Sequence, residues 1–402
     1  MTRPHTSPLL IAALAVLAMV GPVATDMYMP GFPQMQEDFH TSSGTIQLTI
    51  TSFMIGMAVG QLFWGPLSDR VGRRRPLLVA ATLLVIASAA AAVSWTIWML
   101  ILARFVQGFA GSAGVVIGRA VARDVASGKE LARLFSMIGV VMGLAPILAP
   151  ILGGMLDGVI GWKGVLWCIF GISVVMLACA WFVIPESLPQ QERTAGGIAP
   201  LWQDVRIVFA DLPFLGYTAS SIFSFGVVFA FISSSSYIYQ DGYGLSSMMY
   251  TLFFSMNAVG TLIVGLLNTR LVQVFPERSL LFTSLLSISA GSVVILTLSL
   301  LWDALPMGVF TVVVLLTTCT NPIVMSTTST LGLSRHKRAA GMASAVMGTL
   351  QFAVAGAVAP LVTLSGQASP LSMSTVMVGS ALLALAGALL YIRRPGAAAE
   401  RG

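Results

Sequence analysis

Apolar runs of roughly 18 to 25 residues recur along the whole chain, and each is long enough to cross a hydrocarbon core about 30 Å thick. No soluble fold accommodates that many, because burying them needs polar surface that this sequence lacks. Only 9% of the 402 residues are charged and 56% are hydrophobic, whereas a soluble domain carries about a quarter charged residues. In lipid every backbone N–H and C=O must find its partner within the structure, and single runs of this length do so as helices. The sequence therefore specifies an all-α membrane protein with almost no soluble domain.

Twelve spans are expected, over 9–29, 45–67, 76–94, 97–121, 133–156, 164–184, 212–238, 248–270, 279–300, 306–330, 339–363 and 371–392. An even number puts both termini on one side of the bilayer. One set of connections carries Arg70, Arg73, Arg74 and Arg75, then Arg123, Lys129 and Arg133, then Arg193 and Arg206, Arg270 and Arg278, Arg335, Lys337 and Arg338, with Arg393 and Arg394 on the tail. The other set carries Glu37, Asp38, Asp157, Asp241 and Asp303, with Lys163 its only Lys or Arg. The cation-rich side, and with it both termini, is predicted to be cytoplasmic. The net charge of +6 is gathered in these short clusters, so no nucleic-acid partner is expected. Cys168, Cys179 and Cys319 lie inside apolar runs and read as packing residues, with no metal site expected. Arg3, the run Pro8 to Pro22 and the small residues Val23 to Thr25 have the look of a secretory signal peptide; with further spans behind them, a first transmembrane helix is the better reading.

The densest charge falls at Gly60 to Leu77, GQLFWGPLSDRVGRRRPL, where span two ends, the chain turns and span three begins. Gly65 and Gly72 let backbones turn and approach, Asp69 can pair with a neighbouring cation, and Arg70, Arg73 and Arg74 hold the turn in the cytoplasm. By charge alone an ordinary positive-inside loop would look the same. The connection Pro185 to Asp211, rich in Gln, Gly, Pro and charge, divides the spans six and six, giving bundles over 1–184 and 212–402 with a linker over 185–211. A shift of 200 residues supports duplication: VGQLFWGPLSDRV (59–71) aligns with VGTLIVGLLNTRL (259–271), placing Gly60, Gly65 and Arg70 on Gly260, Gly265 and Arg270.

Two ionisable residues stand within spans, Asp26 near the outer end of span one and Arg104 in the outer half of span four. Burying either costs a few kcal/mol or more, so such residues usually face the bundle interior and mark a pathway. Arg104 lies about six residues, or roughly 9 Å, below the outer end of its span, a depth that matches Asp26. A loop position for Asp26, ahead of Pro30 and Pro33, and a purely structural ion pair for Arg104 are the alternatives. Span five contains GLAPILAPILGG (143–154), whose Pro146, Pro150, Gly153 and Gly154 should bend the helix and admit a close neighbour; a merely kinked packing helix would read alike. Gly108, Gly111, Gly114 and Gly118 on span four form a close-packing strip. The second half holds only Asn257, Asn321 and Gln351 deep in spans, with Ser233 to Ser236 at an outer end. A cavity walled by Phe, Met, Leu and Val, with Phe225 among four phenylalanines on span seven, suits an amphipathic substrate with few polar groups.

Gly65, Leu67, Ser68, Asp69, Arg70, Gly72, Arg73 and Arg74 resemble the signature G-x-L-(S/A)-D-R-x-G-R-(R/K) of the major facilitator superfamily, found between its second and third spans. The stretch TDMYMPGFP (25–33) is similar to the T-D-x-Y-L-P-x-x-P of its Bcr/CflA drug-resistance branch, and RFVQGFAGS (104–112) to the R-x-x-Q/H-G of proton-coupled antiporters. PESLPQQER (185–193) and RAAGMASAVMGTLQF (338–352) look like the same branch. Span five is similar to the antiporter motif G-x-x-x-G-P-x-x-G-G, with Ala145 and Ala149 in place of its leading glycines. Some related exporters carry a second acid one or two turns earlier on span one, where Ala18 and Ala15 stand here.

The resemblance implies the major facilitator fold, twelve transmembrane helices in two pseudo-symmetric six-helix bundles, working by alternating access. It implies proton coupling at Asp26 and Arg104 and a substrate role for Arg104; together with the polar and aromatic residues noted above, substrate contacts are expected at Asp26, Tyr28, Arg104, Gln107, Phe225, Asn257, Asn321 and Gln351. It implies gating by Gly65, Asp69, Arg70, Gly72, Arg73 and Arg74, by Arg119 and Arg123 as partners for Asp69, and by Pro146, Pro150, Gly153 and Gly154. Asp69 is further expected to meet the amino-terminal end of span eleven near Ala339 to Gly341. The expected activity is export of amphipathic, antibiotic-like molecules against proton influx, by a monomer in the bacterial inner membrane. A metabolite such as an amino acid or nucleoside is the other cargo. No G-x-x-x-x-G-K-(S/T) loop occurs, so no nucleotide cofactor is expected and an ion gradient supplies the energy. An integral-membrane enzyme is the reading from another class. It would call for an intramembrane metal or nucleophile cluster, and His5, His40 and His336 all fall outside the spans.

Overall fold

A computed structural model describes residues 7–193, 205–302, 304–336, 340–364 and 366–389. Asp303, Lys337, Arg338, Ala339, Arg393 and Arg394 lie outside the described residues, as does the stretch 194–204 of the expected linker. Helices dominate, and no strand occurs among the described residues.

Among the described residues ten helices are long and apolar enough to span a membrane, and the bent pair Pro8–Ala18 with Val20–Asp38 makes an eleventh. The 55-residue helix Gly128–Phe182 supplies the twelfth, because Gly161 inside it takes φ 64° and ψ 174°, which breaks it into two. The connection expected over 157–163 is thus helical up to that single glycine. Span one, expected as one helix over 9–29, is broken instead, with a 41° bend. The cause is Pro22: it has no N–H for the carbonyl of Ala18 and its ring crowds that carbonyl, so the first helix stops there. Span ten is likewise two pieces, Met307–Thr318 and Asn321–Arg335, with Pro322 at the start of the second. Local chemistry fixes several starts. The Ser42 hydroxyl accepts from the Thr45 N–H at 3.2 Å ahead of Ser43–Val71, and Thr96 does the same for Met99 ahead of Ile97–Val125.

The chain divides into two compact units, one comprising Met1–Ala195 with Tyr239–Ser255 and the other Gly196–Ile238 with Met256–Gly402. In the first, spans two and four touch backbone to backbone. A Cβ on Gly56 or Gly60 would strike the carbonyl of Phe105 or Phe109, and one on Gly108 would strike that of Phe53. Helices in lipid associate through such small residues because hydrophobicity offers no drive between them. The strip on span four is shared between two neighbours: Gly108 faces span two, while Gly111 meets Val20 and Gly114 the carbonyl of Leu17 on span one. In the second unit Gly260 faces the Leu315 side chain of span ten, whereas Gly60 in the first faces the Phe109 carbonyl of span four, so the positions matched at a shift of 200 both face a neighbouring span but only the first is a backbone contact. Outward surfaces are apolar, with Val79 and Ile86 on span three 61% and 60% exposed, as lipid contact demands.

Candidate functional site

Asp26 closes the helix Val20–Asp26, just before the 3-10 turn Met29–Gly31. It is 7% exposed, so it is a buried carboxyl and not a loop residue in water. The Thr25 hydroxyl lies 2.8 Å from its Oδ1 and 2.9 Å from the Gly21 carbonyl, so its one proton serves one of the two. Arg104, on span four, is completely buried. Its guanidinium lies between two aromatic faces, 4.3 Å from the Tyr28 ring centroid and 4.5 Å from that of Phe53, where the ring quadrupoles favour a cation. Its Nη1 donates to Oε1 of Gln107 at 2.6 Å. Tyr28 in turn bonds Thr49 at 2.8 Å, and since Thr49 gives its own proton to the Ile46 carbonyl, Tyr28 is the donor.

None of the ion pairs among the described residues joins Asp26 to Arg104. The Nε and Nη2 of Arg104 have no hydrogen-bond partner. One edge of the guanidinium therefore presents two parallel N–H groups, the geometry that meets a two-oxygen acceptor. Thus Tyr28 and Gln107 gather on Arg104, and Asp26 lies in the same bundle with no ion pair to it.

Span five presses on this site from behind. A Cβ on Gly153 would strike the carbonyl of Met27, the residue after Asp26, and one on Gly154 would meet Thr251. Pro146 and Pro150 lie inside the same helix. Beyond them Gly31 fits against Trp162 and Asp157, while Ser247 donates to Asp157 at 3.0 Å and Gln240 to the Pro30 carbonyl at 2.9 Å. Residues Asp26 to Pro33 are therefore clamped on two sides.

At the turn between spans two and three, Arg73 is the hub. It pairs with Asp69 one helical turn back and with Asp124 at 2.9 Å, and it donates to Ser68 at 2.9 Å. Burial alone would work against its charge, but the bonds to Asp124 and Asp69 outweigh that and hold its pKa above the usual arginine value. Asp69 thus meets Arg73 where Arg119 or Arg123 was expected; both of those side chains are exposed. Gly72 takes φ 101°, and a side chain there would collide with Glu186. That carboxylate accepts from the N–H groups of Arg73 at 2.7 Å and Arg74 at 3.3 Å, at the amino end of span three, a favourable place for an anion.

The second unit holds the remaining expected contacts. Asn257 donates to Thr318 at 2.6 Å, linking spans eight and ten. Asn321 is 7% exposed and its Nδ2 is unpartnered. Phe225 packs on Phe229 with ring centroids 5.9 Å apart, and Gln351 is half-buried on span eleven. Sequence reasoning missed Ser88, which accepts from Gln107, and Ser173, which bonds Ser88 in turn, and Asp124 and Glu186 at the charged turn. For Glu186 a signal existed in the quoted PESLPQQER; for the two serines there was none.

A family model described as Major Facilitator Superfamily matches residues 14–360. An uncharacterized MFS-type transporter of Bacillus subtilis, YdgK, is 31% identical over 372 residues, which is 92% of either chain. A bicyclomycin resistance protein homolog of Haemophilus influenzae is 31% identical over 368 residues, 90% of either chain. A chloramphenicol resistance protein of Pseudomonas aeruginosa is 27% identical over 296 residues, 73% of this chain and 68% of that one. Among solved structures, a bacterial homolog of the human lysosomal transporter Spinster superposes with a TM-score of 0.73 at 13% identity, over 96% of this chain and 97% of that one. A D-xylose-proton symporter superposes with 0.70 at 16% identity, over 94% and 96%. At such identities the structures bear on the fold alone, and with the family model and the two relatives at 31% identity they lead to one conclusion: the chain belongs to the major facilitator superfamily.

Proposed function

We propose that this chain exports amphipathic, antibiotic-like small molecules by exchanging them for protons, as a monomer in the bacterial inner membrane with both termini in the cytoplasm. The observation that carries the proposal is a buried carboxyl, Asp26, in the same bundle as a buried, unpaired guanidinium, Arg104. Two such groups are costly in a membrane and are usually kept for function. Resistance proteins for bicyclomycin and chloramphenicol among the relatives support the choice of cargo.

Asp26 carries the proton: neutral when loaded, anionic when empty. Arg104 keeps its charge throughout, since a guanidinium does not readily deprotonate, and its open Nε–Nη2 edge receives an acceptor. Tyr28 and Gln107 hold that edge in place. Drug and proton then compete for one site, which is what exchange requires, and the proton gradient supplies the energy without a nucleotide. The test is expression in an efflux-deficient host against a panel including bicyclomycin and chloramphenicol, with and without a protonophore. Raised resistance that the protonophore abolishes is the expected result; no protection against any of the panel would refute it.

A further inference from the structure

Arg104 can only donate hydrogen bonds, so the Gln107 atom 2.6 Å from its Nη1 must be the amide oxygen. The amide nitrogen of Gln107 then points the other way, to the Ser88 hydroxyl at 2.8 Å. Ser88 lies 2.9 Å from the hydroxyl of Ser173, and Ser173 spends its single proton on the Ile169 carbonyl at 2.9 Å. Ser88 must therefore donate to Ser173. The result is a chain in which every bond is donated away from the arginine: Arg104 to Gln107, Gln107 to Ser88, Ser88 to Ser173, Ser173 to a backbone carbonyl. It crosses spans four, three and six, and its four side chains are 0 to 3% exposed.

That direction has a consequence. If the Gln107 amide turned over, its NH2 would face the guanidinium, donor against donor, and every hydroxyl in the chain would have to reverse. We propose that Ser88 and Ser173 are positioning residues: they lock the Gln107 amide with its oxygen toward Arg104 and so fix where the open Nε–Nη2 edge points. Both faces of the guanidinium are covered by Tyr28 and Phe53 and Nη1 donates to Gln107, so the buried Nε and Nη2 are the nitrogens left without a hydrogen bond. The inference rests on the proton-exchange reading above for its effect on transport, but its geometry stands without it.

Two measurements test it on the full-length protein. In proteoliposomes with chloramphenicol as the probe, Ser88→Ala should lower kcat about tenfold, the effect of one buried donor left without its acceptor. It should leave KM within about twofold and move the midpoint of the pH profile, and Ser88→Thr, which keeps a hydroxyl, should restore both. The second measurement needs no transport: in protein labelled with 15N-arginine, the Nε–H signal lost in Arg104→Lys should shift in Ser88→Ala and in Ser173→Ala. If the wild type moves no chloramphenicol, the choice of cargo falls while this signal still decides the positioning role. An Arg104 signal unchanged in both alanine variants would overturn the proposal, as would a Ser88→Ala loss that Ser88→Thr does not restore.

Discussion

A carboxyl and a guanidinium buried in one bundle without touching are each poised to accept something else. If Asp26 carries the proton, Asp26→Asn should abolish export driven by a pH gradient while the protein still inserts at normal levels. Normal resistance in that variant would remove Asp26 from the mechanism. Arg104→Lys keeps the charge but loses the planar fork and the stacking between Tyr28 and Phe53. Turnover should fall by one to two orders of magnitude, roughly the worth of a bidentate charged hydrogen bond. A fully active lysine variant would mean that only the field matters. Asp26 and Arg104 were legible in the sequence because an ionisable group inside an apolar run is rare and expensive. Ser88 and Ser173 were not. A serine in a transmembrane helix commonly returns its proton to a carbonyl three or four residues back, as Ser292 does to Ile288 and Ser289 to Leu285. Nothing in sequence separates a serine that stops there from one that also reaches a neighbour.

The span-five helix shows what an element contributes to this site. Its GLAPILAPILGG was legible as a bent, close-packing segment, but which glycine touches what depends on the break in span one, and that break follows from Pro22 acting on Ala18. Gly153 faces the Met27 carbonyl next to the proposed proton carrier. Gly153→Val should therefore displace Asp26 as well as loosen the bundle, with an overpacking cost of about 1 to 3 kcal/mol. Loss of transport and a fall in melting temperature in detergent are the expected pair. Gly118→Ala is the control, since its added Cβ would find Leu14 at an ordinary 3.8 Å; it should change neither. A Gly153→Val protein with normal transport would show that this contact only packs.

For the whole molecule, the repeat at a shift of 200 residues was readable because glycines recur where a span meets its neighbour, Gly60 against span four and Gly260 against span ten, although only Gly60 meets backbone there. The charged turn departs from that symmetry: Asp69 aligns with Thr269, so only the first half carries the acid. Alternating access must open and close the two ends of the spans in turn, and we propose Asp69 as a latch at its end. The residues around it divide the labour. Arg73, 9% exposed at its side chain, ties Asp69 to Asp124, and Glu186 fastens the start of span three, so these form the fixed part of the turn. Asp69 itself is 49% exposed at its side chain and keeps a carboxylate facing outward, able to meet a second partner when that end closes. An exposed charged contact is worth about 1 kcal/mol or less, which moves a two-state equilibrium by no more than about fivefold. Asp69→Asn should therefore slow turnover about two- to fivefold and leave drug affinity nearly intact, because the turn keeps its other ties. Arg73→Ala should instead lower stability, by leaving Asp69 and Asp124 as neighbours with no cation between them. Affinity measured by tryptophan quenching beside transport rate in proteoliposomes separates these outcomes. Equal loss of both in Asp69→Asn, or loss of neither, would mean that Asp69 does not set the balance between open and closed.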